Sequence, residues 1–399
     1  MPIAQTNSQQ EVPGMASSTP SRHTVSLKSP EDRIQHAETP RVSNAADSLY
    51  NIGTPLPIQH VCSLDQLDGA TAQLCGISAD MDPWLLRHCR YDEYGLCRLH
   101  GTLFRNVGGV PVQGLVPVHF VLADNQLLSP VTTEPAGEEA MRWSLNQLIP
   151  PGHGELLLSL WVHKHSPSAQ NTNSFTDWIR FLTHVFPMLP VVSRSQLERQ
   201  KLDLEAPVIL LAAIYASALP YVAHDPVLFV SGAYDHDLRD QLWEMVSQGI
   251  QEQTRTPGLA VLQASILYLQ RLPSRTEHVL SDTPLRSSFH GRTVAVAMSL
   301  GLHLEPRPWG IPAWEKRLRR RLWWAIYLED KWTSLLLGRP PTIREDEWDV
   351  FELDELDFEL DDPMAVTRRL PIMEQPSRGI IFRYFIKLAQ LVETIHHTF

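Results

Sequence analysis

The chain has 399 residues, a formal net charge of -11 and a pI near 5.8. That length suffices for one large domain or two ordinary ones, and the acidic balance excludes a dedicated nucleic-acid binder unless a local basic patch makes the contact. Its four cysteines, Cys62, Cys75, Cys89 and Cys97, are too few and too irregularly spaced for a disulfide scaffold or a structural zinc site, so reduced intracellular thiols are expected.

Residues 1–55 are rich in Ser, Thr, Pro, Gln and Asn and poor in large apolar side chains. Such a composition cannot offset chain entropy, and a disordered leader is expected. The first residues lack a charged start followed by an apolar core, and no apolar run of about 18 residues exists, so neither a secretory signal nor a membrane span is expected. Residues 56–140 read as a small irregular module of short segments broken by turns. Within it, the alternation in VPVHFVLAD behind Gly108-Gly109-Val110-Pro111 predicts a strand or hairpin.

From 141 to 399 the pattern is helical. A helix stops at Pro150-Pro151, and an apolar run restarts at Glu155. Phe175, Trp178, Ile179, Leu182 and Phe186 share one helix face. APVILLAAIYASALP is apolar all round and predicts a buried helix. TPGLAVLQASILYLQRL and LRSSFHGRTVAVAMSLGLHL predict two more, with small residues that let neighbours approach closely.

The next helix is long. Trp314, Leu318, Leu322, Ile326, Tyr327, Leu328, Leu335 and Leu336 recur at helical spacing, and Gly338 with Pro340-Pro341 ends the run. Its first two turns hold Lys316, Arg317, Arg319, Arg320 and Arg321, cations set unfavourably at the positive end of the macrodipole. A solvated or ion-paired helix start is expected, although the run also has the composition of a nuclear-import signal. Trp323 and Trp324 lie about 100° apart on the helix, so one is expected in the core and the other against a neighbouring helix. Asp330 shares the face of Trp323; if buried it needs a partner, which Arg339 or His303 is expected to supply. The acidic stretch REDEWDVFELDELDFELDD follows. It is expected to dock its aromatics on the domain while its acids face water or the arginines, the alternative being a segment that folds on a partner. A last helix runs through IIFRYFIKLAQLVETIHHTF to the end of the sequence.

No residue is assigned a catalytic or metal-binding role. Asp361-Asp362 and Glu329-Asp330 do not complete the acidic run of a magnesium-dependent isoprenoid synthase. No G-x-S-x-G elbow is present, and His163 and His165 lack the i, i+4 spacing of zinc ligands.

The run from Ala295 to Val350 resembles the middle regulatory region of the fungal-specific transcription factor domain family. The resemblance rests on Gly301, Leu302, His303, Glu315, Arg319, Arg321, Trp323, Trp324, Asp330, Gly338, Arg339 and Pro340 in that order, and on FLTHVFPMLPVVSRSQL, which looks like the family's domain entry. It implies a mostly α, multi-helical fold and a nuclear regulator of transcription of metabolic or biosynthetic-cluster genes. In that family DNA is read by a separate cluster of six zinc-binding cysteines. No cysteine precedes Cys62 here, so no cofactor is expected in these 399 residues, and zinc only with a cysteine cluster outside them. Expected partners are other transcription regulators or a second copy, a small-molecule effector, and DNA only indirectly. The alternatives are a shortened member, an incomplete gene model, or a co-regulator acting through a DNA-bound relative.

Overall fold

A computed structural model describes residues 61–76, 82–108, 117–128, 136–149, 181–193, 196, 206–224, 236–271, 284–358 and 379–398. The predicted leader, the helix restart at Glu155 and most of the Phe175–Phe186 face lie outside these residues. Phe181–Val185 is a π-helical turn.

Four short strands come first: β1 (Ala70–Leu74), β2 (Leu96–Leu99), β3 (Thr102–Asn106) and β4 (His119–Asp124). They form an antiparallel sheet in the order β1-β4-β3-β2. The alternating VPVHFVLAD segment is thus an inner strand, paired with β1 from Ala70↔Asp124 and with β3 from Leu103↔Leu122. The strand expected there is present, and the sheet around it is larger than one hairpin because β2 and β3 carry their own turn signal. His100 and Gly101 both take positive φ, 48° and 85°, the two-residue I′ geometry that matches strand twist. A short helix, α1 (Pro83–Leu86), starts at Asp82, whose side chain accepts from Trp84 N. A second, α2 (Asn125–Leu128), follows β4.

The helical part begins with α3 (Ala136–Leu148). Because α3 crosses residue 140 and packs on the next helix, the helical elements start a few residues before the 141 boundary read from the sequence. Helices α4 (Val208–Ala218), α5 (His236–Gln253), α6 (Leu259–Leu269), α7 (Pro284–Ser299), α8 (Ala313–Leu337) and α9 (Ile380–Thr398) complete the array. The all-apolar segment is α4, buried at every position except Ser217. It packs against α3, α5 and α6, and the array continues from α6 to α7, α7 to α8 and α8 to α9.

One large apolar cluster runs through α4, α6 and α8 and takes in Trp323, Trp324, Phe358 and Phe382. A second joins the sheet to the loop before α8: Phe120 meets Trp309 edge-on at 5.5 Å, with Leu64, Val107 and Ile311 around them.

Candidate functional site

Helix α8 carries those of the residues singled out by sequence that run from Glu315 to Asp330, with Gly301–His303 before it and Gly338–Pro340 just after it. It has no side-chain N-cap at Pro312, and Glu315 in the first turn offsets the dipole against the cations that follow. At its other end Gly338 takes the left-handed conformation, φ 62° and ψ 34°, and Arg339 N bonds Ser334 O at 3.2 Å. This is the glycine C-cap read from the sequence.

The cations are ion-paired and desolvated. Arg319, Arg320 and Arg321 are only 2%, 2% and 5% exposed. Arg319 pairs with Glu315 at 2.8 Å and donates to Leu300 O at 2.7 Å. Arg320 grips both carboxylate oxygens of Asp357 and donates to Glu352 O at 2.6 Å. Arg321 donates to Asp357 O at 2.7 Å and Val192 O at 3.0 Å. Of the solvated or ion-paired start expected, the ion-paired form is present, and it is buried instead of solvated: the acidic sequel folds back and supplies the carboxylate and carbonyls of Arg320 and one carbonyl to Arg321, while Glu315 and Leu300 O hold Arg319. As folded, the basic run is not an exposed patch; Lys316 and Arg317 alone in it are partly exposed.

Residues 344–358 of that sequel fold back on the domain. Leu353 and Phe358 are buried, Phe351 and Leu356 exposed. Trp348 meets Trp323 at 6.0 Å and Trp324 at 5.3 Å. Trp323 and Trp324 are thus both buried and converge on one loop residue, Trp348, instead of serving two different neighbours. Trp324 also donates to Phe351 O at 3.0 Å.

Asp330 is 2% exposed, and its partner differs from the expected ones. His290 on α7 bonds it at 2.9 Å, and the amides of Thr342 and Ile343 donate at 2.9 and 3.0 Å. Burial alone would raise this carboxyl; the His290 bond and the two amides outweigh it and hold it below the ordinary range. Arg339 instead donates to Ser287 Oγ at 3.1 Å. The His303 ring lies tilted against Trp323 with centroids 6.2 Å apart, and burial lowers its pKa to about 4. Asp330 thus ties the Gly-Arg-Pro-Pro turn back onto α8, which leaves Leu335 and Leu336 exposed and not on the buried stripe. Sequence reasoning missed His290; the spacing of Phe289, His290, Thr293, Val294 and Ala297 marks it as part of the buried face of α7 but does not say which acid it meets.

Lys331, 1% exposed, pairs with Glu393 on α9 at 2.6 Å and donates to Ile343 O at 2.7 Å, while Tyr327 OH also bonds Glu393. Arg320, Arg321, Lys331 and Asp330 thereby join α8 to the acidic loop, α9 and α7. No group of three or more metal-ligating side chains occurs among the described residues. Two cavities, of about 40 and 100 Å³, hold room for a few water molecules.

These observations define a helical domain organised around one long helix whose charges are neutralised internally. The model of the fungal specific transcription factor domain matches residues 178–399, more than half of the chain, and the chain belongs to that family, one of transcription regulators. It is 35% identical over 170 residues to an uncharacterized transcriptional regulatory protein of Schizosaccharomyces pombe, covering 42% of this chain and 25% of that one. It is 33% identical over 189 residues to the transcriptional activator protein DAL81 of Saccharomyces cerevisiae, covering 46% and 18%. Cutinase transcription factor 1 beta of Fusarium vanettenii shares 31% over 71 residues, covering 18% and 8%. The aligned region spans a quarter or less of each of these relatives. No solved structure matches the chain.

Proposed function

We propose that this chain is a nuclear transcription regulator that acts through its helical domain by protein contacts, with DNA engaged indirectly. The observation that carries the reading is the burial of Arg319, Arg320 and Arg321: the densest basic run of an acidic chain is consumed in internal pairing and cannot neutralise phosphates. Family membership supplies the regulatory role, and the relatives' names are those of transcriptional regulators and activators. Partners in this reading are other regulators or a second copy. Metabolic or biosynthetic-cluster genes are its targets, and a small metabolite its effector. The reading assigns no catalytic residue and no cofactor to these 399 residues.

Two measurements test it. The full chain tethered to a heterologous DNA-binding domain should change a reporter's expression; an unchanged reporter would overturn the regulatory role. In a mobility-shift assay the purified chain should give absent or salt-sensitive shifts. Specific nanomolar shifts that survive about 150 mM salt would overturn the indirect-contact reading.

A further inference from the structure

The sheet module holds all four cysteines, and the fold brings Cys89 and Cys97 together on one face of the sheet. Cys89 closes the turn after α1, its amide bonded to Leu86 O at 2.9 Å. The chain then reverses at Asp92: its amide bonds Leu96 O at 3.0 Å, Gly95 N bonds Asp92 O at 3.0 Å, and its carboxylate accepts from Leu96 N at 2.8 Å. Gly95 takes φ 74°, which the reversal requires. That reversal returns the chain as β2, the edge strand, in which Cys97 stands opposite Phe104. Phe104, with Leu86 and Cys75, forms the small apolar cluster on which Cys89 packs. Cys97 shares the sheet face of its cross-strand partner Phe104, and Cys89 packs on the cluster that Phe104 forms, so the two thiols stand on one face, close enough for each to act on the other. Both are free and partly exposed, whereas Cys75 is buried.

We propose that Cys89 and Cys97 are a reversible oxidation site that closes to an intramolecular disulfide with a low-molecular-weight disulfide such as oxidised glutathione. The Cys89 thiolate attacks one sulfur of the oxidant, giving a mixed disulfide and one glutathione thiolate. The Cys97 thiolate then attacks Cys89 sulfur and expels the second glutathione thiolate. Two protons and two electrons leave the cysteines, and the oxidant becomes two glutathione molecules. Burial first, and the adjacent Cys89 second, raise the Cys97 thiol. Burial pushes the Cys75 thiol up to about 11, which keeps it out of the exchange. The product ties the turn after α1 to the otherwise one-sided edge strand β2.

The test is oxidation of the folded full chain with glutathione disulfide, alkylation of remaining thiols, and peptide mass spectrometry without reduction. The expected product is a Cys89–Cys97 cross-link, two hydrogens lighter, in about tenfold excess over glutathione adducts, as expected for two groups held on one face of the sheet. It should vanish on adding dithiothreitol, and Cys97→Ser should accumulate the Cys89 adduct. Stable separate adducts at both cysteines of the unsubstituted chain, unreacted thiols there, or cross-links to Cys62 or Cys75 instead would overturn the proposal. The measurement on the unsubstituted chain stands whether or not the variant folds.

Discussion

Trp323 and Arg320 adjoin Trp324 and Arg321 and are almost wholly buried, yet they stabilise the fold by different physics. Trp323 fills space against His303 and Trp348. Trp323→Ala should destabilise the chain by about 3–5 kcal/mol through lost transfer energy and the cavity left behind, read as a lower urea midpoint with unchanged slope. Arg320 holds Asp357 in a desolvated site, and Arg320→Ala should cost about 3–5 kcal/mol because it leaves that carboxylate unpaired. Lys316, at the same helix start, donates only to Arg307 O in an exposed setting; Lys316→Ala should stay within about 0.5 kcal/mol. Equal losses at Arg320 and Lys316 would show the run to be uniformly solvated. Much of this was legible, because helical spacing put Trp323 inside and charge balance pointed the arginines at the acids downstream. The partner of Asp330 was not: His290 lies forty residues earlier, and helix–helix register decides such a pair, which composition does not encode.

Helix ends show the same division between local signals and long-range ones. Gly338 was legible as a C-cap because the left-handed residue is a local requirement. Its φ of 62° with open space around the missing Cβ means that Gly338→Ala should cost only about 1 kcal/mol, from backbone strain without a clash. A loss several times larger in a thermal melt would mean that the turn itself unfolds. The start of α6 was not legible. Gly258 offers no capping side chain, and the cap comes from Asp65, which accepts from Leu259 N at 2.6 Å across the fold. Burial, and after it Glu315, raise the Asp65 pKa to about 6. The folded chain therefore binds more protons than the unfolded one between about pH 4 and 6, and this group's contribution to stability falls as pH rises through that window. His119 and His303, lowered to about 4 by burial, tilt the profile the other way between about pH 4 and 6.5. The measurement is thus the difference between the unsubstituted chain and Asp65→Asn: the variant's relative stability should improve from pH 4 to 6. A flat difference would place Asp65 in water.

At the scale of the whole molecule, the order of a β-containing module followed by helices was legible from the change in periodicity, because alternation and 3.6-residue spacing are local properties. The junction between them was not, since it depends on one residue that reads as an ordinary first-turn acid. Glu315 is 0% exposed. It accepts from Ser63 Oγ at 2.7 Å and Leu64 N at 3.1 Å while pairing with Arg319. Arg105 of β3 donates to Ser63 O at 2.8 Å and to Cys62 O at 2.6 Å. The segment before β1 is therefore clamped between the sheet and α8. Packing of Phe120 on Trp309 supports the junction, and Gly301 ends α7 with φ 74° where an added Cβ would lie 3.0 Å from Phe120. Glu315→Ala removes the acceptor of the clamp and the counter-charge of Arg319, a loss of about 3–5 kcal/mol for a broken buried pair. If the clamp is what couples the two parts, that loss should fall unevenly. Amides of Thr71–Leu74 and Phe120–Leu122 should exchange with deuterium about 100-fold faster, while those of Val208–Ala218, deep in the helical core, should change far less. Equal acceleration in both would mean that sheet and helices open as one cooperative unit, with Glu315 contributing to global stability and not to the coupling.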